Sequence, residues 1–561
     1  MSSATRPWYR GPKVAVFVSC LAIYVAVGYW LQVTHGFIMG DTLSRVAATQ
    51  AVLFSRDPHL AALGFIFPPL AGMVQILPML GDAWFPDLAG RAFAGTLMSA
   101  PFMAGAAVQI FAMGADRGLR RDYTWGITAL FALNPMIIFY GSNGMTEAPF
   151  LFFITLAVRR LILWMSDDDP HHLIVTGAVA MTLAYLTRYD GLACVAAAGV
   201  LVFVTTYRRA QSPPRGLRAL LDMLLVAGPG VLAFLGWALT SWLITGEALA
   251  QFTSQYGNTA ILEQSGQTAS SFFVGLGFAG ACVLLLAPTL IPLLVWAVVL
   301  RWRWPTRQLV LVPLTVFGAA LVFQAISHAT GTTFPFLRFF IVAIPLTASL
   351  ALLAVPDGQF ATPVRPGRYA QRSPGNAAGP RPWAAYAPAA LAMAVTIPVT
   401  TWAMGQPHYA PQEFGLGAVL APQPDNVSAQ KAREHRIART FTTERRIAAF
   451  LDRLDLPDGS VITDTIYGFA ILAATRRPRV FVIPSDPDFT QLLNEPEGNG
   501  IRYLLAVPTA GRGTADALNL RYPTLYNTGS DVSTLEMEFI NDGDGQPDWR
   551  LYRVNEPVPA R

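Results

Sequence analysis

Apolar segments of about 20 residues recur along most of the chain, and they limit what it can fold into. A segment of that length can cross the hydrocarbon core of a bilayer as a helix. About eleven such helices are expected, over 14–33, 92–114, 123–140, 149–166, 172–187, 190–207, 219–244, 272–300, 308–327, 336–355 and 384–405. The composition agrees, since 53% of the 561 residues are hydrophobic and 13% are charged. The chain is therefore predicted to be a polytopic α-helical membrane protein.

The arginines between the predicted helices orient the chain. They fall in alternate loops, so the net charge of +5 is explained by topology and does not indicate nucleic-acid binding. This pattern predicts a multi-pass protein of the cell (plasma) membrane with a cytoplasmic N-terminus and a long first outer loop, 34–91. It holds only if the apolar stretch 60–80, which Pro68-Pro69 interrupts, lies along the membrane surface. The segment 272–300 is long and contains Pro288 and Pro292, so it holds either one helix or two.

The character of the chain changes towards its end. Residues 1–355 form the predicted membrane module, 356–383 a Pro/Gly/Arg-rich cytoplasmic linker, and 384–405 the last transmembrane helix. Residues 406–561 have ordinary soluble composition and α/β alternation, with predicted helices at 427–453 and 466–475 and strands at 460–463, 480–483 and 503–507. An odd number of spans places this soluble α/β domain outside the cell.

Polar side chains cluster where the predicted helices reach the outer face. They are Asp41 after the first helix, Asp57 and His59 in the same loop, Asn143 and Glu147 after the third, Arg188 and Asp190 between the fifth and sixth, and His328 and Arg338 near the ninth and tenth. A carboxylate beside hydrocarbon is costly and is a functional candidate by default. Carboxylates and arginines at one membrane face indicate a site that activates a hydroxyl and holds a phosphate beside the lipid.

The main candidates also have structural explanations. Asp41 precedes a helical run, so it is also placed as a helix N-cap. Arg338 is flanked by phenylalanines, as is a snorkelling arginine of an interfacial belt. Arg188 either binds phosphate or pairs with Asp190 to fix a turn.

These residues, in this order, resemble the GT-C superfamily of membrane glycosyltransferases, which includes protein O-mannosyltransferases and lipid A aminoarabinose transferases. The resemblance covers the whole chain. It consists of an acidic residue in a long first outer loop, the Pro68-Pro69 element, a Thr146-Glu147 pair opening a helix, a Thr-Arg-Tyr-Asp-Gly turn at 187–191, an Arg-Phe-Phe entry at 338–340 and a soluble outer C-terminal domain. It implies a glycosyltransferase that takes sugar from a polyprenyl-phosphate donor and delivers it to a glycan, lipid or protein acceptor.

The resemblance also implies an inverting displacement. Asp41 is then the catalytic base that takes the acceptor's proton, and Arg338, with Arg188 as second candidate, binds the donor phosphate. The remaining polar residues are then predicted to bind the sugar or the acceptor, namely Glu147, Asp57, His59, Asn143, Asp190 and His328. Glu147 also suits a helix N-terminus, and Asp57-Pro58 suits a helix cap. No obligatory metal or cofactor is expected, although Asp57 and His59 with Asp41 leave a divalent cation possible.

Two other classes of protein are weighed against this one. A transporter or flippase of a lipid-linked sugar usually carries ionisable residues in mid-span and internal repeats, whereas here the ionisable residues lie at helix ends and no repeat is visible. A structural anchor leaves the loop carboxylates unexplained. The sequence therefore favours the enzyme.

Overall fold

The structure of the protein is a computed structural model that describes residues 10–210, 214–254, 260, 262, 271–301, 305–355, 383, 386–423, 425–426 and 428–555. Its membrane module is helical. The α-helices of ten residues or more are Arg10–Gly28, Gly40–Phe54, Leu70–Met79, Phe93–Asp116, Arg121–Ala132, Glu147–Asp167, Asp190–Arg209, Arg215–Thr245, Phe272–Leu286, Leu290–Arg301, Leu311–Ala329 and Ala343–Leu353. Shorter α-helices are Asp87–Gly90, Pro135–Ser142, Pro170–Ile174, Thr182–Tyr185, Ala250–Thr253, Ala387–Ala394 and Thr396–Met404. The π-helical segments Tyr29–Thr34 and Val175–Met181 and the 3₁₀ segments Leu60–Leu63, Pro305–Val310 and Leu337–Phe340 complete the module.

The predicted spans coincide with these helices. Seven helices in the described part of the chain are long and apolar enough to cross a membrane, and two bent pairs raise the number to nine. The predicted segments 172–187 and 336–355 fall on shorter helical stretches, which do not meet that length. The chain is thus a multi-pass helical membrane protein, and the count of eleven stays a prediction.

Proline and asparagine explain the two bends. Phe272–Leu286 and Leu290–Val299 meet at 72° around Pro288, so the segment 272–300 holds two helices. Arg121–Ala132 and Pro135–Ser142 meet at 62°, and the second helix starts with an Asn134 cap that accepts from Met136 N at 3.1 Å. The second helix ends beside Asn143, which it thereby brings to the polar cluster.

The apolar stretch 60–80 forms only the short segments Leu60–Leu63 and Leu70–Met79. Ten helical residues extend about 15 Å, half of a bilayer's hydrocarbon thickness. Leu77, Leu80 and Trp84 are exposed. The stretch thus contains no helix long enough to span a bilayer, and its surface location stays a prediction.

The C-terminal region is an α/β unit, as predicted. Its strands are β1 (Val461–Ile462), β2 (Phe481–Val482), β3 (Tyr503–Ala506), β4 (Ser533–Phe539) and β5 (Trp549–Val554), in the order β2-β1-β3-β5-β4. The first three pair in parallel, and β5 pairs antiparallel with β3 and β4. Its helices are Leu416–Leu420, Ala429–Ala438, Thr442–Arg453, Thr465–Ala474, Phe489–Asn494, Ala517–Arg521 and Leu525–Thr528, with 3₁₀ turns at Glu413–Gly415, Pro478–Val480 and Gly511–Ala515. Residues 356–382, most of the predicted linker, lie outside the described residues.

The α/β unit and the loop 34–91 share one hydrophobic core. Leu43 and Val46 of helix Gly40–Phe54 are buried in the same cluster as Ile447 and Phe469 of the α/β unit. Beyond the C-terminal end of that helix, Arg56 donates to Asp488 at 2.9 Å and to Asp486 at 3.1 Å. Helix Gly40–Phe54 therefore joins the membrane module to the α/β unit.

Candidate active site

Asp41 lies in the first turn of helix Gly40–Phe54 and forms an ion pair with Arg338. Arg338 Nη2 donates to Asp41 Oδ2 at 2.9 Å, and the Asp41 side chain stays 38% exposed while that of Arg338 is 5% exposed. The helix N-cap is Met39, so Asp41 is not the cap. Burial opposes ionisation of Asp41, but the charges of Arg338 and Arg45 outweigh it and lower the pKa of the carboxyl. Asp41 is thus an accessible carboxylate.

Arg338 keeps hydrogen-bonding capacity for a further anion. Its guanidinium lies 4.9 Å from the ring centre of Phe336 and 5.3 Å from that of Phe339. Nη1 contacts only the sulfur of Met145, at 4.0 Å, and Nε lacks a hydrogen-bond partner among the described residues. A snorkelling arginine extends its charge into water, whereas this one is enclosed beside a carboxylate.

Glu147, Arg188 and Asp190 form a second ionic group next to the first. Arg188 Nη1 donates to Glu147 Oε1 at 2.8 Å, while its Nη2 and Nε donate to Asp190 Oδ2 at 3.2 and 3.3 Å. Glu147 is the first residue of helix Glu147–Asp167, where the helix dipole favours its charge. Its Oε1 also lies 3.8 Å from Arg338 Nε, which links the two groups. All three guanidinium nitrogens of Arg188 are engaged, in contrast to Arg338.

Arg45 is a third arginine of the site that the sequence interpretation missed. It follows Asp41 by four residues, so the two share one face of the helix. Arg45 is buried; its Nη1 lies 4.0 Å from Met145 Sδ and its guanidinium 4.5 Å from the ring centre of Phe67. Its Nε has no hydrogen-bond partner in the described part of the chain. Arg45 and Arg338 thus meet at one sulfur, each with unused donors.

The turn at 143–146 fixes Asp41 relative to Glu147. Thr42 donates to the carbonyl of Asn143 at 2.8 Å, and Asn143 Oδ1 accepts from Met145 N at 3.1 Å. Gly144 has a φ of 78°, and a Cβ there would lie 2.7 Å from the Cα of Gly95. Only glycine tolerates both conditions. The close contact between Gly144 and Gly95 therefore fixes the turn that lies between Asp41 and Glu147.

Glu413 and Tyr140 form a buried pair near Arg338 and were also missed. Tyr140 donates a hydrogen bond to Glu413 Oε1, and both side chains are buried. Burial raises the pKa of Glu413, although Tyr140 and the charge of Arg338 oppose the shift. Glu413 follows the last apolar helix by nine residues, so nothing local in the sequence links it to Arg338.

Three predicted site residues make no hydrogen bond or ion pair with this cluster in the described part of the chain. Asp57 and His59 follow the far end of helix Gly40–Phe54, about 20 Å along its axis from Asp41. His59 Nδ1 lies 2.6 Å from the carbonyl oxygen of Asp57. The ring of His328 is tilted against that of Phe278, with ring centres 4.8 Å apart. Within the described ranges, no three His, Cys, Asp or Glu side chains are grouped to hold a metal ion.

The fold and the site define a multi-pass membrane protein with buried arginines and carboxylates at the ends of its helices. Residues 81–216 match the family model described as dolichyl-phosphate-mannose-protein mannosyltransferase, which covers about a quarter of the chain. This match confirms the predicted resemblance to the GT-C superfamily. It indicates that the chain is a glycosyltransferase.

Two solved structures of the oligosaccharyltransferase from the archaeon Archaeoglobus fulgidus are similar to the chain over 99% of its length. One carries a tethered acceptor peptide with an NVT sequon, and the other an inhibitory peptide and a dolichol-phosphate. The alignments cover 76% and 75% of those chains, each at 10% identity and a TM-score of 0.39, which is too low to define a shared fold. No curated protein matches the sequence.

Proposed function

We propose that the protein moves a sugar from a polyprenyl-phosphate donor to a hydroxyl of an extracytoplasmic acceptor by an inverting displacement. The observation that carries this proposal is the Asp41–Arg338 pair, because it places an accessible carboxylate directly beside a buried arginine with unused donors. The carboxylate can accept a proton from a hydroxyl, and the guanidinium can bind a phosphate. The base acts on the carbon through the acceptor oxygen, and the arginine acts through the leaving phosphate.

Arg338 and Arg45 are the proposed phosphate ligands. Both guanidinium groups lie 4.0 Å from the sulfur of Met145, so a phosphate that displaces this weak contact meets two cations. Guanidinium stays charged beside lipid and binds phosphate oxygens bidentately. Their charges stabilise the polyprenyl phosphate as it leaves. Arg188, already engaged by two carboxylates, is proposed to hold Glu147 and Asp190 in place.

Asp41 is the proposed base. In the resting site the charge of Arg338 keeps it ionised, and therefore weakly basic. The donor is a phosphodiester with one negative charge, which offsets part of the positive charge of the arginines, so donor binding is expected to increase the basicity of Asp41. Proton abstraction then becomes favourable only when a donor is in place. The acceptor oxygen attacks the anomeric carbon while Asp41 takes its proton and the phosphate departs.

Glu147 and Asn143 are the proposed sugar ligands. Glu147 Oε2 and Asn143 Nδ2 are buried without a hydrogen-bond partner among the described residues. An unpaired buried polar atom is costly, and a sugar hydroxyl satisfies it. The matching family is described as acting with dolichyl-phosphate mannose on protein, so mannose and a protein acceptor are the first to test. No metal is required in this scheme, because arginines stabilise the leaving phosphate.

The proposed setting is the plasma membrane, with the N-terminus in the cytoplasm and the α/β unit outside. The arginine pattern of the loops supports this orientation. The exposed apolar side chains of segment 70–84 support a surface location for that loop. Asp41 then opens towards the extracytoplasmic face.

The test is transfer by the purified protein. Polyprenyl-phosphate mannose should serve as donor and GDP-mannose should not. Arg338→Ala should weaken donor binding by about 10- to 100-fold, since a charge-assisted hydrogen bond contributes roughly 1.5–3 kcal/mol. Arg120→Ala, at an exposed arginine paired with Asp122, is the matched control and should bind donor normally. Transfer from GDP-mannose, or unchanged donor binding in Arg338→Ala, would contradict the proposal.

A further inference from the structure

A loop of the α/β unit brings a fourth arginine to the Asp41 face of the site. The 3₁₀ turn Gly511–Ala515 carries Arg512, whose Nη2 donates to the carbonyl of Ile466 at 3.0 Å. Its guanidinium lies 5.1 Å from the ring centre of Tyr467. Ile466 and Tyr467 belong to helix Thr465–Ala474, which packs directly against helix Gly40–Phe54. The chain therefore holds Arg512 beside the helix that carries Asp41.

Arg512 acts electrostatically on Asp41. Its positive charge contributes to lowering the pKa of the Asp41 carboxyl, and Asp41 in turn favours the charged form of Arg512. The two side chains come from parts of the chain separated by more than 400 residues. Because water and salt screen charges, such an interaction is strong only when the two groups are close in space.

No described carboxylate lies within ion-pair distance of Arg512. Asp464, the other acid that favours its charge, is already committed, because its Oδ1 accepts from Ile466 N at 2.7 Å and its Oδ2 from Ala517 N at 2.8 Å. Burial lowers the pKa of Arg512, because its guanidinium is partly removed from water. A half-buried cation with a stacked tyrosine and no acid of its own is suited to an external anion.

The position of Arg512 distinguishes an anion bound there from the donor phosphate at Arg338 and Arg45. Arg338 comes from the membrane module, and Arg45 follows Asp41 by one helical turn along helix Gly40–Phe54. Arg512 comes from the α/β unit, which packs on helix Gly40–Phe54 through helix Thr465–Ala474. An acceptor that approaches Asp41 from the side of the α/β unit therefore passes Arg512.

We propose, building on the proposed transferase function, that Arg512 is an acceptor-binding residue that recognises an anionic group close to the acceptor hydroxyl. Tyr467 orients the guanidinium, and the fixed backbone contact to Ile466 sets its distance from Asp41. The α/β unit thereby selects an acidic acceptor, whose charge is either a carboxylate or a phosphate. No covalent step is added by Arg512.

The experiment compares transfer to acceptor with transfer to water. The acceptor probe is an envelope extract from a strain lacking this protein, and the donor is labelled polyprenyl-phosphate mannose. Arg512→Gln should reduce transfer to the extract on the order of 10- to 100-fold, as expected for loss of a charged hydrogen bond. Slow release of free mannose by hydrolysis should be unchanged. Arg512→Lys should recover part of the transfer, and Arg521→Gln, on the same unit, should resemble the unmodified protein.

Chemical treatment of the extract identifies the anion. Amidation with a carbodiimide and methylamine removes carboxylates, and mild hydrogen fluoride removes phosphodiesters. One of these treatments should reduce transfer by the unmodified protein to the level of Arg512→Gln, with little further loss in that variant. If neither treatment matters, or if Arg512→Gln lowers hydrolysis and transfer equally, the acceptor role is wrong. Absence of both hydrolysis and transfer in the unmodified protein would instead contradict the proposed function itself.

Discussion

Replacing Arg188 tests whether this arginine supports the neighbouring carboxylates or binds the donor phosphate. Arg188 is 12% exposed and its nitrogens all bond to Glu147 and Asp190, whose side chains are 1% and 6% exposed. Arg188→Met therefore leaves two buried carboxylates without their cation, a change that costs about 3–5 kcal/mol when a buried pair is broken from one side. We expect a melting temperature several degrees lower in detergent. The donor dissociation constant should change much less than in Arg338→Ala.

A compensated variant makes this test specific. In the triple variant Arg188→Met, Glu147→Gln, Asp190→Asn, the whole ionic group becomes neutral, and replacement of a complete buried group is often tolerated. Thermal stability should therefore recover, as measured by loss of the monodisperse peak after heating. If Arg188→Met keeps the normal melting temperature but loses donor affinity as strongly as Arg338→Ala does, the supporting role is wrong and Arg188 is a phosphate ligand.

Three further predictions concern geometry, protonation and topology. Gly144→Ala should destabilise the protein by roughly 2–4 kcal/mol, from a left-handed backbone and an overpacked contact with the facing helix, and should abolish transfer, whereas normal stability would show that the turn adapts. Because its neighbours lower the pKa of Asp41, kcat/KM should fall only below the ordinary range of an aspartate, about pH 4. Arg338→Ala should move this fall to higher pH. An unchanged pH profile would show that Asp41 is not the group that must be ionised. A cysteine near Asp82 should react with an impermeant thiol reagent on intact cells and one near Gly118 should not, and the reverse would overturn the orientation.

The membrane helices could be predicted because their signal is local. Bilayer thickness imposes a length of apolar sequence, so the bounds were close even where Pro288 bends a helix. The parallel strands of the α/β unit were found from short apolar runs for the same reason. The hairpin strands β4 and β5 were missed, although the alternation from Leu535 to Phe539 is a strand pattern, because β4 is largely exposed and charged.

The ionic cluster was predicted in part. Asp41, Glu147, Arg188 and Arg338 were located from their positions at helix ends, where a charge beside lipid needs a partner. Arg45 could have been added from its four-residue spacing to Asp41. Glu413 and Arg512 could not, since their places depend on how the α/β unit packs on the membrane module.

Asp57 and His59 were predicted to lie in one site with Asp41 because they are close to it in sequence. They follow it by only 16 and 18 residues, but the intervening helix is rigid and separates them by about 20 Å. Proximity in a loop is informative only when no regular element lies between the residues.

The most direct test of the central claim is transfer by Asp41→Asn. The amide keeps the size of the side chain and can still accept a hydrogen bond from Arg338, so the protein should fold and bind polyprenyl-phosphate mannose with similar affinity. It cannot take up the acceptor's proton, so the single-turnover rate of transfer should fall by at least ~10²–10⁴-fold. A near-normal rate with normal donor binding would show that Asp41 is not the base and would contradict the mechanism proposed for this site.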